Sequence, residues 1–130
     1  FGVPPKNVIL VGVRNSEKKE NSFLLEKGVF IVSVNEFFED LEGTCDFIME
    51  LTNKKETYVS IDMDVFDPAY CPGVAYPEPG GLLTRQLIYF LQRLRKIKTL
   101  RGVDIVEANP IKDQNKITIK TAAKLVAELI

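Results

Sequence analysis

The chain has 130 residues, of which 45% are hydrophobic and 27% charged, so it is long enough for one compact domain that spans residues 1–130. Its 17 basic and 18 acidic side chains leave a net charge of -1. That balance lacks the basic excess typical of proteins that bind nucleic acid or anionic membranes, and no apolar run is long enough to span a bilayer. Cys45 and Cys71 lack a metal-binding or extracellular disulfide spacing, so we expect reduced thiols and a cytoplasmic location.

The hydrophobic pattern predicts four strands that alternate with helices. The strands are short apolar runs, and the helices carry apolar residues at three- and four-residue spacing. In chain order, the pattern predicts a strand at 8–13, a helix at 16–27, a strand at 29–34, a helical region capped by Asn35 and interrupted near Gly43, a strand at 58–64, a helix at about 83–97, a strand at 100–107 and a helix at 117–130. Such alternation indicates an α/β fold with a mainly parallel sheet.

The third predicted strand ends in two acidic residues, Asp62 and Asp64. Side chains two residues apart on a strand point to the same face, so the two carboxylates are expected to lie together. Neighbouring carboxylates repel one another and resist burial unless a cation or a proton neutralises them. Carboxylate oxygens suit Mg²⁺ or Mn²⁺, which makes a metal site one interpretation. The other is a pair of solvated or N-capping carboxylates at a strand exit, and the residues alone leave both open.

A long loop rich in proline and glycine, residues 67–81, follows the acidic pair. It exceeds the usual connection length, so we expect it to be functional. Asp67 precedes Pro68 and is expected to be a turn or capping residue. Glu107 ends the fourth predicted strand, at the edge of a parallel sheet where ligands collect. Its carboxylate is suited either to bind a cationic substrate group or to cap the next turn.

The remaining polar residues near this edge receive no catalytic role. Arg14 and Asn15, which follow the first strand, are interpreted as structural. The chain contains no histidine, so it has no histidine base to activate Cys71, Ser60 or Thr84 as a nucleophile. We therefore assign no catalytic residue within this chain.

Three motifs together resemble the ureohydrolases, the family that includes arginase, agmatinase, guanidinobutyrase and formimidoylglutamase. They are S-I-D-M-D-V-F-D-P at 60–68, P-E-P-G-G-L at 77–82 and G-V-D-I-V-E-A-N-P at 102–110. The match covers most of the chain from residue 58 onward, and residues 1–57 match as the lead-in of alternating strands and helices. The resemblance implies the C-terminal portion of a three-layer α/β/α fold, with about four strands and four helices.

The same resemblance implies a hydrolase with two Mn²⁺ ions that releases urea from a guanidino substrate, in arginine or polyamine metabolism. It makes Asp62 the carboxylate between the two metals, Asp64 a ligand of one metal, and Glu107 the acid that binds the guanidinium group. The other ligands of the family belong to G-G-D-H and D-A-H-x-D segments, which this chain lacks, as it lacks the family's proton-shuttling histidine. We therefore expect a partial metal site and no urea release by this chain alone.

The substrate and the partner are left open by the resemblance. The sequence P-E-P-G-G at 77–81 favours agmatine, whereas V-E-A-N-P at 106–110 favours arginine. Ala75 and Tyr76 stand where the family usually has Gly-Thr or Gly-Asn, next to the predicted metals. The family's assemblies imply either a homo-oligomer or complementation by an N-terminal half that supplies a strand between strands of this portion.

Two other interpretations remain at this point. One is a non-catalytic α/β fragment or protein-interaction remnant that keeps the fold and half a metal site. The other is a different Asp-x-Asp enzyme, such as a haloacid-dehalogenase phosphatase or a metal-dependent glycosyltransferase. The later lysine and acidic motifs of the former and the nucleotide site of the latter are not evident in the sequence.

Overall fold

The computed structural model describes residues 2–130, which contain four β-strands and five α-helices in alternation. The strands are β1 (Ile9–Val13), β2 (Phe30–Ser33), β3 (Thr57–Asp62) and β4 (Leu100–Val106). The helices are α1 (Lys18–Glu26), α2 (Val34–Glu39), α3 (Leu41–Thr52), α4 (Thr84–Leu94) and α5 (Ile117–Leu129). The predicted α/β fold is confirmed. In this described part of the chain, no helix combines the length and apolar character needed to cross a membrane.

The four strands form two separate pairs within residues 2–130. β1 pairs with β2, β3 pairs with β4, and both pairings are parallel, as the alternation with helices predicted. Each strand therefore has one edge without a ladder partner in the described region. The sequence predicted the parallel direction correctly, but the alternation of elements carries no information about the division into two pairs.

One hydrophobic core connects the strands and helices. The rings of Phe37 in α2 and Phe90 in α4 pack edge to face, with their centroids 5.6 Å apart. The largest fully buried apolar side chains come from α2, α4, α5 and the segment that follows β3, and they include Phe37, Met63, Phe66, Leu82, Leu91 and Leu125. Because Met63 and Phe66 flank Asp64, the core fixes the backbone on both sides of this predicted metal ligand.

The second helical region is divided in two, and its caps differ from the predicted ones. Ser33, rather than Asn35, caps α2: its Oγ accepts the N–H of Glu36 at 3.2 Å, and the Glu36 carboxylate accepts the N–H of Ser33 at 2.7 Å. The interruption lies at Asp40, whose Oδ1 accepts the N–H of Gly43 at 2.8 Å and begins α3. The predicted cap and interruption differ from the observed ones by two or three residues. The reason is that a helix begins where a side chain accepts one of its first free N–H groups.

β3 ends at Asp62, two residues before the predicted end at Asp64. Asp62 Oδ1 accepts the N–H of Asp64 at 2.8 Å, and a short 3₁₀ turn, Met63–Val65, follows. This side-chain bond turns the backbone out of the ladder. The argument that strand alternation places the two carboxylates on one face is therefore wrong, because Asp64 lies in the turn.

Candidate functional site

The carboxyl ends of β1, β3 and β4 converge on one region of the fold. Gly12 in β1 has φ +84°, and an added Cβ there would lie 2.5 Å from Val65 Cγ2, just beyond β3. Glu107 directly follows β4, whose pairing with β3 ends at Asp62. The fold thus brings Asp62, Asp64 and Glu107 to the same edge of the β3–β4 pair, where the sequence predicted them.

Asp64 is the half-buried acid of this group. Its Oδ1 is buried and has no hydrogen-bond partner among the described residues. Desolvation raises the pKa of Asp64, the negative charges of Asp62 and Glu107 raise it further, and Arg14 opposes the shift. Both other acids are therefore close enough to raise the pKa of Asp64.

The donor chemistry of these carboxylates fits a hard divalent cation. A cation would relieve the repulsion between the acids, and the unpartnered Asp64 Oδ1 offers a ligand without the loss of a hydrogen bond. Over residues 2–130, no three acidic, cysteine or histidine side chains are arranged closely enough to hold a metal ion together. The group therefore fits one part of a metal site, and the individual roles of Asp62, Asp64 and Glu107 stay predictions.

Glu107 has an unusual backbone conformation at this edge. Its φ is +63°, in the left-handed region that side chains other than glycine rarely adopt, and its side chain is exposed. Two residues later, the N–H of Asn109 donates to the carbonyl of Gly73 in the 67–81 loop at 2.7 Å. The left-handed residue thus turns the chain from β4 toward the loop.

Asp67 closes the loop that it begins. Its Oδ1 accepts the N–H of Ala69 at 2.9 Å, and its Oδ2 accepts the N–H of Gly80 at 2.8 Å. These backbone hydrogen bonds lower the pKa of the Asp67 carboxyl. The predicted turn or capping role is confirmed. At the other end of the loop, a Cβ on Gly81 would lie 2.3 Å from the backbone carbonyl carbon of Phe66. The backbone at the end of the loop is therefore in direct contact with the backbone just before its start.

The middle of the loop is attached to α5. The N–H of Gly73 donates to Oγ1 of the fully buried Thr118 at 2.8 Å, and a Cβ on Gly73 would lie 2.5 Å from that of Asp113. Asp113 in turn accepts the N–H of Thr118 at 2.9 Å. The loop, the residues after Glu107 and the start of α5 therefore form one bonded unit beside the acidic group.

Arg14 belongs to the site, although the sequence pointed only to a structural role. It follows β1, and its guanidinium donates to the carbonyl of Asp64 at 2.5 Å, to that of Glu78 at 3.1 Å and to that of Val65 at 3.4 Å. The signal that could have revealed it is a charged side chain directly after a buried strand, at the edge where ligands collect. Asn15, which follows it, is exposed.

Two further residues have structural explanations. Cys71 is fully buried, and desolvation raises the pKa of its thiol to about 11, so little thiolate exists near neutral pH. Asp104 in β4 accepts a hydrogen bond from the hydroxyl of Tyr58 in β3 at 3.0 Å.

A family model described as the arginase family matches residues 1–130. The chain belongs to the arginase family. This finding confirms the resemblance carried by the Asp62, Pro-Gly and Glu107 motifs. It leaves no support for a haloacid-dehalogenase phosphatase or a glycosyltransferase, the alternatives that Asp-x-Asp alone had left open.

The arginase-family relatives are longer than this chain. Proclavaminate amidinohydrolase from Streptomyces clavuligerus is 36% identical over 131 residues, which cover 98% of this chain and 42% of the relative. Agmatinase from Bacillus subtilis (strain 168) is 31% identical over 129 residues, which cover 98% of this chain and 43% of the relative. The chain thus spans less than half the length of these relatives.

Solved arginase-family structures share the fold. The structure of the Streptomyces clavuligerus amidinohydrolase superposes with a TM-score of 0.89 at 35% sequence identity, over 98% of this chain and 43% of that one. An arginase structure from Bacillus subtilis superposes with a TM-score of 0.91 at 28% identity, over 96% of this chain and 45% of that one. The two-pair arrangement of strands is therefore a partial arginase-type α/β fold.

Proposed function

We propose that residues 1–130 are the C-terminal portion of a manganese-dependent ureohydrolase domain that cleaves a guanidino substrate, agmatine or arginine, to urea and an amine. The observation that carries this proposal is the position of Asp62, Asp64 and Glu107 at one edge of the β3–β4 pair, with a buried Asp64 carboxylate oxygen that has no hydrogen-bond partner among the described residues, in a chain of the arginase family. Relatives named agmatinase and arginase support a hydrolase that acts on linear amidines.

Each acid has a distinct part in this proposal. Asp62 would help to hold both Mn²⁺ ions, and Asp64, whose Oδ1 has no hydrogen-bond partner among the described residues, would help to hold one of them. The metals, when bound, would supply Lewis acidity and lower the pKa of a water molecule. Glu107 would accept charge-assisted hydrogen bonds from the substrate guanidinium. Because this chain has no histidine, further ligands and a proton-shuttling group must come from elsewhere, and we propose that the chain alone releases no urea.

We further propose that the β3–β4 pair packs against a complementary α/β segment of the arginase family or a second copy of this chain. On one face of this pair, Tyr58 is 62% exposed and Val106 is 38% exposed. Parallel sheets are normally covered on both faces, so this face suits a further layer. The two reduced, buried cysteines support a cytoplasmic location for the assembly.

Metal binding and complementation test the function separately. Titration calorimetry with Mn²⁺ should show weak binding by the unsubstituted chain and loss of it in Asp62→Asn and Asp64→Asn. Glu39→Gln, which removes an exposed charge from the end of α2, should leave it unchanged. Addition of the region of Bacillus subtilis agmatinase that lies outside the matched part should then allow urea release from agmatine or arginine. Equal Mn²⁺ binding by all variants would contradict the metal role, and urea release by the chain alone would contradict the partial site.

A second candidate is a non-catalytic α/β segment that acts by protein interaction. The observation in its favour is that residues 2–130 supply no cluster of three metal-binding side chains. Complementation distinguishes the two candidates, because a non-catalytic segment would associate with the agmatinase region, as seen by sedimentation, without urea release.

A further inference from the structure

Arg14 connects three parts of the chain that are distant in sequence. Its Nη2 donates both to the carbonyl of Asp64 at 2.5 Å and to that of Glu78 at 3.1 Å, while its Nη1 donates to the carbonyl of Val65 at 3.4 Å. Arg14 directly follows β1, so a single half-buried guanidinium joins the end of that strand to the turn after β3 and to the loop.

The carbonyls that accept hydrogen bonds from Arg14 differ in their other partners. Asp64 and Val65 lie in the turn that has left the β3 ladder, so the carbonyl of Asp64 is not part of a sheet bond. The carbonyl of Val65 also accepts the N–H of Leu82 at 2.8 Å, and this hydrogen bond joins the residue after the loop to the turn. A planar guanidinium reaches several oxygens at fixed angles, whereas an ammonium is a point donor on a flexible stem. In this chain the two terminal nitrogens of Arg14 reach all three carbonyls at once.

We propose that Arg14 is a positioning residue of the candidate metal site. It fixes the Asp64–Val65 turn against Glu78 and thereby sets where the Asp64 carboxylate lies relative to Asp62. The link to metal binding rests on the proposed function, whereas the link between the turn and the loop rests on the hydrogen bonds alone.

Hydrogen exchange followed by mass spectrometry tests the positioning directly. Arg14→Gln should raise amide exchange about tenfold in peptides that cover residues 62–67 and 77–82, because hydrogen bonds from a charged donor are lost there. Arg14→Lys, which keeps the charge without the fork, should give a smaller increase. Arg85→Gln, an exposed arginine at the start of α4, is the matched control and should change neither region.

Mn²⁺ titration of the same variants tests the consequence for Asp64. We expect Arg14→Gln to weaken Mn²⁺ binding about tenfold, Arg14→Lys to weaken it less, and Arg85→Gln to leave it unchanged, with equal circular dichroism for all three. Local exchange that rises without any change in Mn²⁺ affinity would overturn the positioning of Asp64, and unchanged or uniformly raised exchange would overturn the local link. If the unsubstituted chain bound no Mn²⁺, the proposed function would fail, while the exchange rates would still decide whether Arg14 holds the turn.

Discussion

The N–H of Gly73 donates a 2.8 Å hydrogen bond to Oγ1 of Thr118, a side chain with no exposed surface. The bond joins the middle of the 67–81 loop to the first turn of α5, and the carbonyl of the same glycine accepts the N–H of Asn109. Gly73 therefore joins α5 to the segment after Glu107, and the buried hydroxyl of Thr118 is the α5 side of that connection.

Thr118→Val should destabilise the chain because it leaves the buried N–H of Gly73 without an acceptor. We expect a loss of about 1–3 kcal/mol in the free energy of unfolding, the usual cost of an unsatisfied buried donor. Urea denaturation followed by circular dichroism measures it. Thr118→Ser keeps the hydroxyl and loses only the methyl group, so it is the control and should cost less; a Thr118→Val variant as stable as the unsubstituted chain would contradict the contribution of the hydrogen bond.

Gly81→Ala and Gly80→Ala should differ in their effect on stability. A Cβ on Gly81 would lie 2.3 Å from the backbone of Phe66, which cannot move aside, so we expect a loss of about 3 kcal/mol. Gly80 has φ +81° with open space around it, and alanine there should cost about 1 kcal/mol through backbone strain alone. Thermal unfolding of the two variants gives the comparison, and a Gly81→Ala protein as stable as Gly80→Ala would contradict the close packing.

Glu107→Gly should stabilise the fold while removing the proposed substrate contact. Glycine adopts φ +63° without steric cost, so we expect a gain of about 1 kcal/mol in the free energy of unfolding. Lys54 has φ +60°, and Lys54→Gly is the matched control for relief of backbone strain. Glu107→Gln isolates the loss of charge. If Glu107→Gly were no more stable than Glu107→Gln under urea denaturation, the left-handed conformation would carry no strain.

Asp64→Asn should stabilise the chain at neutral pH. The raised pKa of Asp64, due first to desolvation and then to Asp62 and Glu107, means that ionisation is less favourable in the folded state. The stability contributed by the neutral carboxyl is full below the pKa of the unfolded state and is lost as pH rises through the folded-state pKa. The variant should therefore unfold at higher urea than the unsubstituted chain at pH 7.

The advantage of Asp64→Asn should disappear near pH 3, below the usual pKa of an unfolded aspartate of about 3.9. Glu39→Gln, at an exposed position, controls for a general change in net charge. A stability difference that is the same at both pH values would show that the effect does not come from ionisation of Asp64.

The sequence predicted the elements well and their ends less well. Apolar runs such as residues 8–13 and 100–107 correctly located β1 and β4, although most side chains of these strands are half-buried rather than enclosed on both faces. The ends at Ser33, Asp40 and Asp62 were missed because each is decided by a side-chain oxygen that accepts a nearby backbone N–H. Several residue types are able to cap at neighbouring positions, so composition alone does not select the one that does.

The sequence predicted the acidic residues of the candidate site, but it did not predict the hydrogen bonds of Arg14 beside them. Asp62, Asp64 and Glu107 stand at the ends of recognisable strands, and the motifs around them are specific to the family. Arg14 acts through the carbonyls of Asp64 and Glu78, which are 50 and 64 residues away. Every residue has a backbone carbonyl, so the residue types that accept these hydrogen bonds give no sequence signal for them.

The hydrogen bond that ends β3 also makes the two oxygens of Asp62 unequal. Oδ1 accepts the N–H of Asp64, whereas Oδ2 takes no part in that bond. A substitution that lengthens the turn would therefore change the position of the Asp62 carboxylate and release Oδ1 from the backbone.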